Sequence, residues 1–558
     1  MTRRAHLSRL RSGTFDVLVI GGGITGAGVA LDAASKGMSV ALVEKADFAQ
    51  GTSSASTKLI HGGLRYLPMF DLAQVREGLQ EQNRLLQNAP HLVRPLPFVL
   101  PLYAGARRPL GLRLPPGLGT ALPVGMALGL RVYDLLARRP PARRHRDLTP
   151  AAAAALVPAL RLDGLRRAYL YYDAITDDAR LTLTVIRTAV RLGAVVTNYA
   201  EVVGVTTEGG RVTGARIADR LTGQNFTVKA GLTFNATGVW AESIARLVGP
   251  PKFRIRQSKG VHLVFPNDSL RMGRTALVLP ETDDGRIAFV VPWQGALILG
   301  TTDTDWNRAD ERPEATADDA SYLITHASRF LTAPPAAGDA LGAFAGLRPL
   351  VSSGRMVSRR LSRRHEIVGS AEGFFSVIGG KLTTFRRMAE DAINLATGRA
   401  EGTPSRTRDL PLVGAEDLAN TLPWLRARAR QLGLSRATFA HLIRAYGTGT
   451  ATVLDRVARH PALRDLLVPG RPHIAAEVVV AAREEMAVTV ADVLLRRTRL
   501  ANLLPRHGTE IAPRVADLMG EELEWTAEMR AAQVADYARD AGALAVAPDT
   551  APTRGAGG

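Results

Sequence analysis

The sequence predicts an α/β protein with a Rossmann-like domain at its start and an α-helical domain at its end. An apolar run from Phe15 to Ile20 leads into a glycine-rich turn and then into a helix-like segment that stops at Gly37. Strand-like and helical runs alternate from there to Arg399, and beyond Asp409 helical periodicity takes over. At 558 residues the chain is long enough for two or three domains.

The first strand, helix and second strand form a predicted βαβ unit with a dinucleotide-binding pattern. Gly21, Gly23 and Gly26 follow the first strand in the spacing G-x-G-x-x-G. The first two glycines allow a tight turn and close approach of the backbone to a pyrophosphate, and the third lets helix and strand pack closely. Glu44 ends the second strand, about 20 residues further on, where an acid binds an adenosine ribose. The unit therefore predicts a dinucleotide site at a helix N-terminus.

Two further stretches favour FAD over NAD as the cofactor. Thr52, Ser53 and Ser54 follow shortly after Glu44, where hydroxyls and backbone amides can reach a second part of an extended cofactor. Asn235-Ala-Thr-Gly238 ends a later strand-like run and is similar to the second flavin-side motif of many two-domain flavoproteins. We therefore expect FAD, with Gly238 among the residues that bind it.

The amino-acid composition excludes cysteine-dependent chemistry and indicates an anionic partner. The chain has no cysteine, which excludes disulfides, thiolate metal sites, cysteine nucleophiles and cysteinyl-linked flavin, and we expect no metal centre. The net charge of +19 calls for an anionic partner, such as nucleic acid, a membrane surface or a phosphorylated substrate. Nucleic acid is not expected, because aromatic residues make up only 5% and no readout module is recognisable.

Several separated motifs resemble those of the aerobic FAD-dependent glycerol-3-phosphate dehydrogenase family, and they span nearly the whole chain. They are Ser56 to Leu67 (STKLIHGGLRYL), Lys259 to His262 (KGVH), Gly346 to Leu350 (GLRPL), Gly379 to Phe385 (GGKLTTF), Arg483 to Thr489, Asp492 to Leu500 and Glu522 to Trp525. The resemblance implies a D-amino-acid-oxidase-like fold, with an antiparallel-sheet substrate domain beside the FAD-binding domain. It also implies oxidation of sn-glycerol 3-phosphate to dihydroxyacetone phosphate, with hydride passing from C2 to flavin N5 and electrons then passing to a quinone.

The same resemblance assigns roles to individual residues. The residues that would surround the substrate are Arg65, Tyr66, Arg348, Arg363 and Lys381. Guanidinium groups suit a phosphate dianion because they donate charge-assisted, often bidentate hydrogen bonds. The catalytic candidates are His262 as the base, Arg348 beside the developing alkoxide, and Lys381 as a point charge near substrate or reduced flavin. The further cofactor-binding candidates in the GGKLTTF motif are Gly380, Leu382 and Thr383.

Some of these residues also have plainer interpretations. Arg363 lies in a basic run that equally suits an exposed loop, and Arg364 stands where the family shows an acid. His262 enters an apolar strand, so a buried core histidine is the alternative to a catalytic one. His61 stands before two glycines, which suits either close approach to flavin or packing, and no chemistry is assigned to it.

The predicted boundaries divide the chain as follows. The FAD-binding domain takes residues 1–100, 166–250 and 351–400; a substrate or membrane-contact segment takes 101–165; the substrate domain takes 251–350; the C-terminal helical domain takes 405–545; and a disordered tail takes 546–558.

The stretch from Pro101 to Arg146 concentrates arginine among leucine, proline and glycine. That composition suits a protein lying on anionic lipid, where quinone is found, and equally suits a basic loop with no partner. No signal peptide or membrane-spanning run is recognisable, so we expect a cytoplasmic protein with peripheral contact at the inner face of the cell membrane. A homodimer is compatible with these features.

Two alternative functions remain open on the same fold. A glycerol-3-phosphate oxidase would pass the electrons to oxygen instead of quinone. An amine or amino-acid oxidase would use the same arginines to bind a carboxylate instead of a phosphate.

Overall fold

The computed structural model describes residues 2–64, 71–104, 110, 122–307, 312–352 and 365–546. Within these ranges the chain forms two β-sheets and a C-terminal group of helices. The predicted tail, 546–558, lies outside the described residues except for Val546, which packs against the core of the second sheet.

The strands in chain order are β1 (Thr14–Ile20), β2 (Val40–Val43), β3 (Leu59–Ile60), β4 (Arg94–Tyr103), β5 (Arg146–Leu148), β6 (Leu165–Ile175), β7 (Val195–Thr197), β8 (Ala200–Glu208), β9 (Arg211–Asp219), β10 (Asn225–Asn235), β11 (Arg254–Pro266), β12 (Ala276–Leu279), β13 (Ala288–Trp293), β14 (Ala296–Gly300), β15 (Thr304–Trp306), β16 (Gly342–Ser352), β17 (His365–Ala371) and β18 (Phe374–Gly379).

The α-helices are α1 (Arg3–Ser12), α2 (Ile24–Ser35), α3 (Leu72–Asn88), α4 (Leu122–Leu136), α5 (Pro150–Leu156), α6 (Asp178–Arg191), α7 (Ala241–Ala245), α8 (Ala317–Ser328), α9 (Phe385–Ala396), α10 (Leu418–Gln431), α11 (Arg436–Tyr446), α12 (Thr450–Arg459), α13 (Ala475–Glu484), α14 (Leu500–Leu503), α15 (Ala512–Leu523) and α16 (Ala527–Gly542).

The first sheet has a parallel centre, in the order β18-β10-β1-β2-β7. Strand β17 adds antiparallel to β18, and the hairpin of β8 and β9 adds along β10. Helices α2, α6 and α9 cover one face, and nearly every residue of α2 is buried. Because the central strands are parallel, their carboxyl ends meet at one edge, which is where open α/β sheets bind ligands.

The second sheet is mostly antiparallel, in the order β15-β11-β14-β13-β12-β4-β6-β3, with β16 along β11 and β5 along β6. Strands β4 and β12 are its parallel pair. Together with the first sheet and the C-terminal helices, it confirms the predicted fold class.

Sheet membership differs from the predicted boundaries at two strands. Strand β4 falls mainly in the predicted FAD-binding range 1–100, and β6 falls almost wholly in the range 166–250. The two strands nevertheless pair with each other in the second sheet. Local pattern identifies an apolar run as a strand, but which sheet it joins depends on partners far away in the chain.

The C-terminal helices α10 to α16 pack around their own apolar core and against the second sheet. A π-helical turn, Asp492–Arg497, packs against α6, one of the helices that cover the first sheet. The widened turn directs the adjacent side chains of Arg496 and Arg497 to the same carboxylate, that of Asp47. The helical domain is therefore joined to the domain of the first sheet by buried charges as well as by apolar packing.

Candidate active site

The predicted cofactor-binding residues converge at the carboxyl edge of the first sheet. Strands β1 and β10 end side by side, with Ile20 opposite Asn235, and the amide of Ala236 donates to the carbonyl of Ile20 at 2.9 Å. Strand β18 pairs with β10 on the other side. The turns that contain the glycine motif, Gly238 and Gly380 therefore meet at this edge.

The glycine motif has the tight geometry that its spacing predicts. Gly21 has a φ of 110°, and a Cβ there would lie 2.8 Å from the carbonyl oxygen of Ala236. A Cβ on Gly26 would collide with the carbonyl oxygen of Gly21, so only glycine lets α2 pack this closely on the turn. A Cβ on Gly23 would lie 3.2 Å from Ser53 Oγ. The turn thus leaves its backbone open to a ligand at the start of α2, as an FAD pyrophosphate requires.

Glu44 and the hydroxyl segment stand beside that turn. The carboxylate of Glu44 accepts from the amide of Gly22 at 2.6 Å and from the amide of Ala46 at 3.0 Å. Burial raises the pKa of Glu44, although these two hydrogen bonds act in the other direction. Ser53 Oγ accepts from the first helical amide, that of Ile24, at 2.9 Å. The arrangement fits a ribose at Glu44 and a phosphate near Ser53.

The segment from Thr52 to Ser54 forms a 3-10 turn that connects the two sheets. Thr52 Oγ1 donates to the carbonyl of Leu347 on β16 at 2.5 Å. A Cβ on Gly346, also on β16, would lie 2.7 Å from the carbonyl oxygen of Ala55. This close backbone contact brings the segment beside the carboxyl edge of the first sheet against β16, the strand that contains Arg348.

The catalytic candidates His262 and Arg348 lie on the paired strands β11 and β16. Arg348 Nη2 donates to Thr301 Oγ1 at 2.9 Å and to the carbonyl of Thr302 at 3.1 Å, and Nη1 donates to Asp303 at 3.2 Å. The guanidinium crosses Gly260, where a side chain would collide with it. These contacts fix the orientation of a cation that is still partly exposed.

His262 is 2% exposed and stacks on Phe344, with ring centroids 4.8 Å apart. Its Nε2 shares a hydrogen bond of 2.9 Å with Thr57 Oγ1. Burial, together with the positive charges of Arg348 and Lys58, holds the pKa of His262 well below its usual value. The imidazole is therefore neutral at working pH, as a proton acceptor must be.

Lys381 and Thr383 stand at the end of β18. Lys381 Nζ donates to Gln74 Oε1 at 2.7 Å, and Gln74 in turn donates to Asp71 at 2.9 Å. Leu382 and Thr383 belong to a 3-10 turn, and Thr383 Oγ1 accepts from the amide of His61 at 3.2 Å. This turn therefore joins the GGKLTTF and STKLIHGG motifs, which are far apart in the chain.

Three of the predicted substrate-binding residues, Arg65, Tyr66 and Arg363, lie outside the described residues.

Thr57 was not singled out from the sequence, although it stands within the STKLIHGG motif. Nothing in its local pattern distinguishes it from its neighbours, because its partner His262 is far away in the chain.

Comparison with known proteins identifies the family. A sequence model of FAD-dependent oxidoreductases matches residues 16–386, and a model of the C-terminal domain of alpha-glycerophosphate oxidase matches residues 405–530. The chain is 39% identical over 542 residues to glycerol-3-phosphate dehydrogenase 2 of Mycobacterium bovis, which covers 96% of this chain and 89% of the relative. The chain belongs to the FAD-dependent glycerol-3-phosphate dehydrogenase family.

Two further relatives agree with this assignment. The mitochondrial glycerol-3-phosphate dehydrogenase of Homo sapiens is 38% identical over 550 residues, which covers 94% of this chain and 73% of the relative. The crystal structure of the glycerol-3-phosphate dehydrogenase from Bacillus halodurans complexed with FAD superposes with a TM-score of 0.77 at 28% identity, covering 97% of each chain. The predicted family and the predicted cofactor are therefore confirmed, and the glycine turn, Glu44 and Ser53 fit FAD.

Within the described ranges, no helix is both long and apolar enough to cross a bilayer.

Proposed function

We propose that the protein oxidises sn-glycerol 3-phosphate to dihydroxyacetone phosphate and passes the electrons to a quinone. The observation that carries the proposal is the pairing of β11 with β16, which holds a neutral His262 near the oriented cation Arg348, next to the edge that fits FAD. Relatives named glycerol-3-phosphate dehydrogenase support the choice of substrate.

The residues proposed for the cofactor are those at the carboxyl edge of the first sheet. They are Gly21, Gly23, Gly26, Glu44, Thr52, Ser53, Ser54, Gly238, Gly380, Leu382 and Thr383. When bound, FAD supplies the acceptor, at N5, for the hydride that leaves C2 of the substrate.

The substrate is a dianion with a secondary alcohol, and the proposed site offers cations and a neutral base. Arg348 and Lys381 are proposed to bind substrate oxygens, together with Arg65, Tyr66 and Arg363. Arg348 is held by Thr301, Thr302 and Asp303, so little reorganisation is needed when negative charge develops on the alcohol oxygen. His262 is proposed to take up the alcohol proton.

Contact with an anionic membrane surface is proposed for helix α4. Val124, Leu128 and Leu135 are 73%, 61% and 77% exposed, and Arg131 lies among them on the same face. Arg138, Arg143 and Arg144 follow and are also exposed. A row of large apolar side chains with arginines around it favours lipid with anionic head groups, at the inner face of the cell membrane. A second copy of the chain, as in a homodimer, is the competing occupant of this face.

An oxidase that uses oxygen is the second candidate, because the C-terminal domain matches the model named for alpha-glycerophosphate oxidase. The two candidates differ only in the electron acceptor. FAD-loaded protein should reduce a soluble quinone analogue with glycerol 3-phosphate and consume little oxygen. Rapid oxygen consumption with peroxide formation would favour the oxidase. Turnover of proline or glycine, and none of glycerol 3-phosphate, would contradict both candidates.

A further inference from the structure

His262 has no ring nitrogen that can reach a substrate directly. Its Nδ1 is buried and has no hydrogen-bond partner in the part of the chain that the structure describes. Its Nε2 is taken by the hydroxyl of Thr57 at 2.9 Å. Phe344 covers one face of the ring, and the backbone of Gly300 is so close that a Cβ there would lie 2.8 Å from Cγ of the imidazole. A base in this position needs another group to carry the proton to it.

Thr57 is the group that lies between His262 and the outside of the core. Thr57 is partly exposed, whereas His262 is 2% exposed. Its hydroxyl can donate one hydrogen bond and accept another at the same time. With the proton of the neutral imidazole on Nδ1, Nε2 accepts from Thr57, and the oxygen of Thr57 can still accept from a substrate alcohol.

The backbone next to Thr57 has a left-handed residue and is fixed by buried hydrogen bonds. The next residue, Lys58, has a φ of 64°, in the left-handed region that residues other than glycine seldom adopt. Lys58 Nζ is completely buried and donates to Asp178 at 2.8 Å and to the carbonyl of Ser54 at 2.6 Å. Arg499, from the C-terminal domain, donates to the same carbonyl at 2.8 Å. These buried contacts fix the loop from both sides and so fix the hydroxyl of Thr57.

We propose that Thr57 relays the substrate's alcohol proton to His262, which rests on the function proposed above. The C2 hydroxyl gives its proton to Thr57 Oγ1 as Thr57 gives its own proton to His262 Nε2. The C2–H bond breaks, the hydride leaves with both electrons for FAD, and the C2–O bond becomes a carbonyl. The charged groups that face the imidazole are Arg348 on β16 and Lys58 on the loop, and both disfavour its protonated form. After the ketone has left, the imidazolium passes its proton back through Thr57 to water, which restores the neutral imidazole.

Replacement of Thr57 by valine tests the relay, because valine keeps the shape and removes the hydroxyl. Thr57→Val should lower kcat by at least about 100-fold, the lower end of what a positioned acid–base group contributes, while KM changes little. Thr57→Ser keeps the hydroxyl and should keep most of the activity. Both variants should load FAD and show the flavin absorption of the wild type.

A second readout does not depend on turnover. The ¹⁵N chemical shifts of the imidazole report which nitrogen carries the proton, and selective labelling of histidine gives them. Thr57→Val should change the Nε2 shift of His262, and Thr57→Ser should restore it.

Each outcome bears on the proposal. A Thr57→Val enzyme with near-normal kcat would overturn the relay and leave the proposed function standing. A wild-type enzyme that does not oxidise glycerol 3-phosphate would overturn both. If Thr57→Val fails to load FAD, flavin reduction by the wild type in mixtures of H₂O and D₂O decides: two protons in flight give a curved dependence on deuterium fraction, and a linear dependence contradicts the relay.

Discussion

Arg497 of the C-terminal domain holds the carboxylate of Asp47 in a bidentate pair, with Nη1 and Nη2 at 2.7 and 2.9 Å from the two oxygens. Asp47 lies just after Glu44, the proposed ribose ligand. Arg496 and Asn198 donate to the same carboxylate, and all four side chains are buried. Buried ion pairs therefore join the helical domain to the loop that follows Glu44.

Replacing Asp47 by asparagine should destabilise the protein strongly. Arg496 would keep only Asp492 and Arg497 would keep only the more distant Glu485 as carboxylate partners. Breaking a buried pair costs about 3–5 kcal/mol. Urea unfolding of the variant and the wild type measures the difference. Arg211→Ala is the control, because its pair with Glu372 is 43% and 69% exposed and should change stability by less than about 1 kcal/mol. Equal stabilities of Asp47→Asn and wild type would contradict this account.

The same carboxylate should make stability sensitive to acid. Burial alone would raise the pKa of Asp47, but the charges of Arg497 and Arg496 outweigh it and lower the pKa to about 2. Its stabilising contribution is complete above the unfolded pKa of 3.8 and is lost as the pH falls toward about 2. The shift corresponds to roughly 2 kcal/mol. The difference in unfolding free energy between wild type and Asp47→Asn should therefore shrink between about pH 4 and pH 2; a difference that stays constant would contradict the assignment.

Replacing Gly26 by alanine should abolish FAD binding. The added methyl group would collide with the carbonyl oxygen of Gly21 and push α2 away from the turn that is proposed to bind the cofactor. The ratio of flavin to protein absorbance measures the loss. Gly338→Ala is the matched control, because a Cβ there meets nothing within 4 Å, and its flavin content should equal that of the wild type. Full flavin loading of Gly26→Ala would show that the close approach is not needed.

Replacing Arg348 by alanine should lower kcat by about 100- to 1,000-fold while FAD stays bound, since an oriented donor to developing negative charge is worth that much. Steady-state kinetics and the flavin spectrum measure both quantities. Arg256→Ala removes a neighbouring arginine on β11 that pairs with Asp305 on the exposed side of the sheet, so its activity should stay near that of the wild type. Near-normal turnover of Arg348→Ala would contradict its catalytic role.

Exchanging Leu128 and Leu135 for glutamine should weaken binding to vesicles that contain anionic lipid. The exchange removes the apolar part of the α4 surface and keeps its arginines, so the binding that remains should be the part that salt screens. Co-sedimentation at low and raised salt measures the binding. Leu221→Gln is the control, because Leu221 is an exposed leucine (47%) outside this surface. The wild type would fail to sediment at low salt if this face binds a second copy of the chain. In that case the wild type should be a dimer and the double variant a monomer.

The sequence by itself predicted the cofactor half of the proposed site. Gly21, Gly23, Gly26 and Glu44 act within a single βαβ unit, so their spacing along the chain already implies their arrangement in space. The family motifs added His262, Arg348 and Lys381 as individual residues, but motifs do not say which side chains touch.

Only the tertiary structure decided the contacts between distant segments. Thr57, on the loop that follows β2, meets His262 of β11 in the second sheet. Asp47, on the same loop, meets Arg497 of the C-terminal domain. Strand β4 likewise joins the second sheet because it pairs with β6, which lies far away in the chain. Helix and strand periodicities depend on neighbours a few residues apart, whereas sheet pairing and domain docking are chosen by packing over the whole chain. The buried partners of Thr57 and Asp47 therefore follow from the fold and from no local pattern.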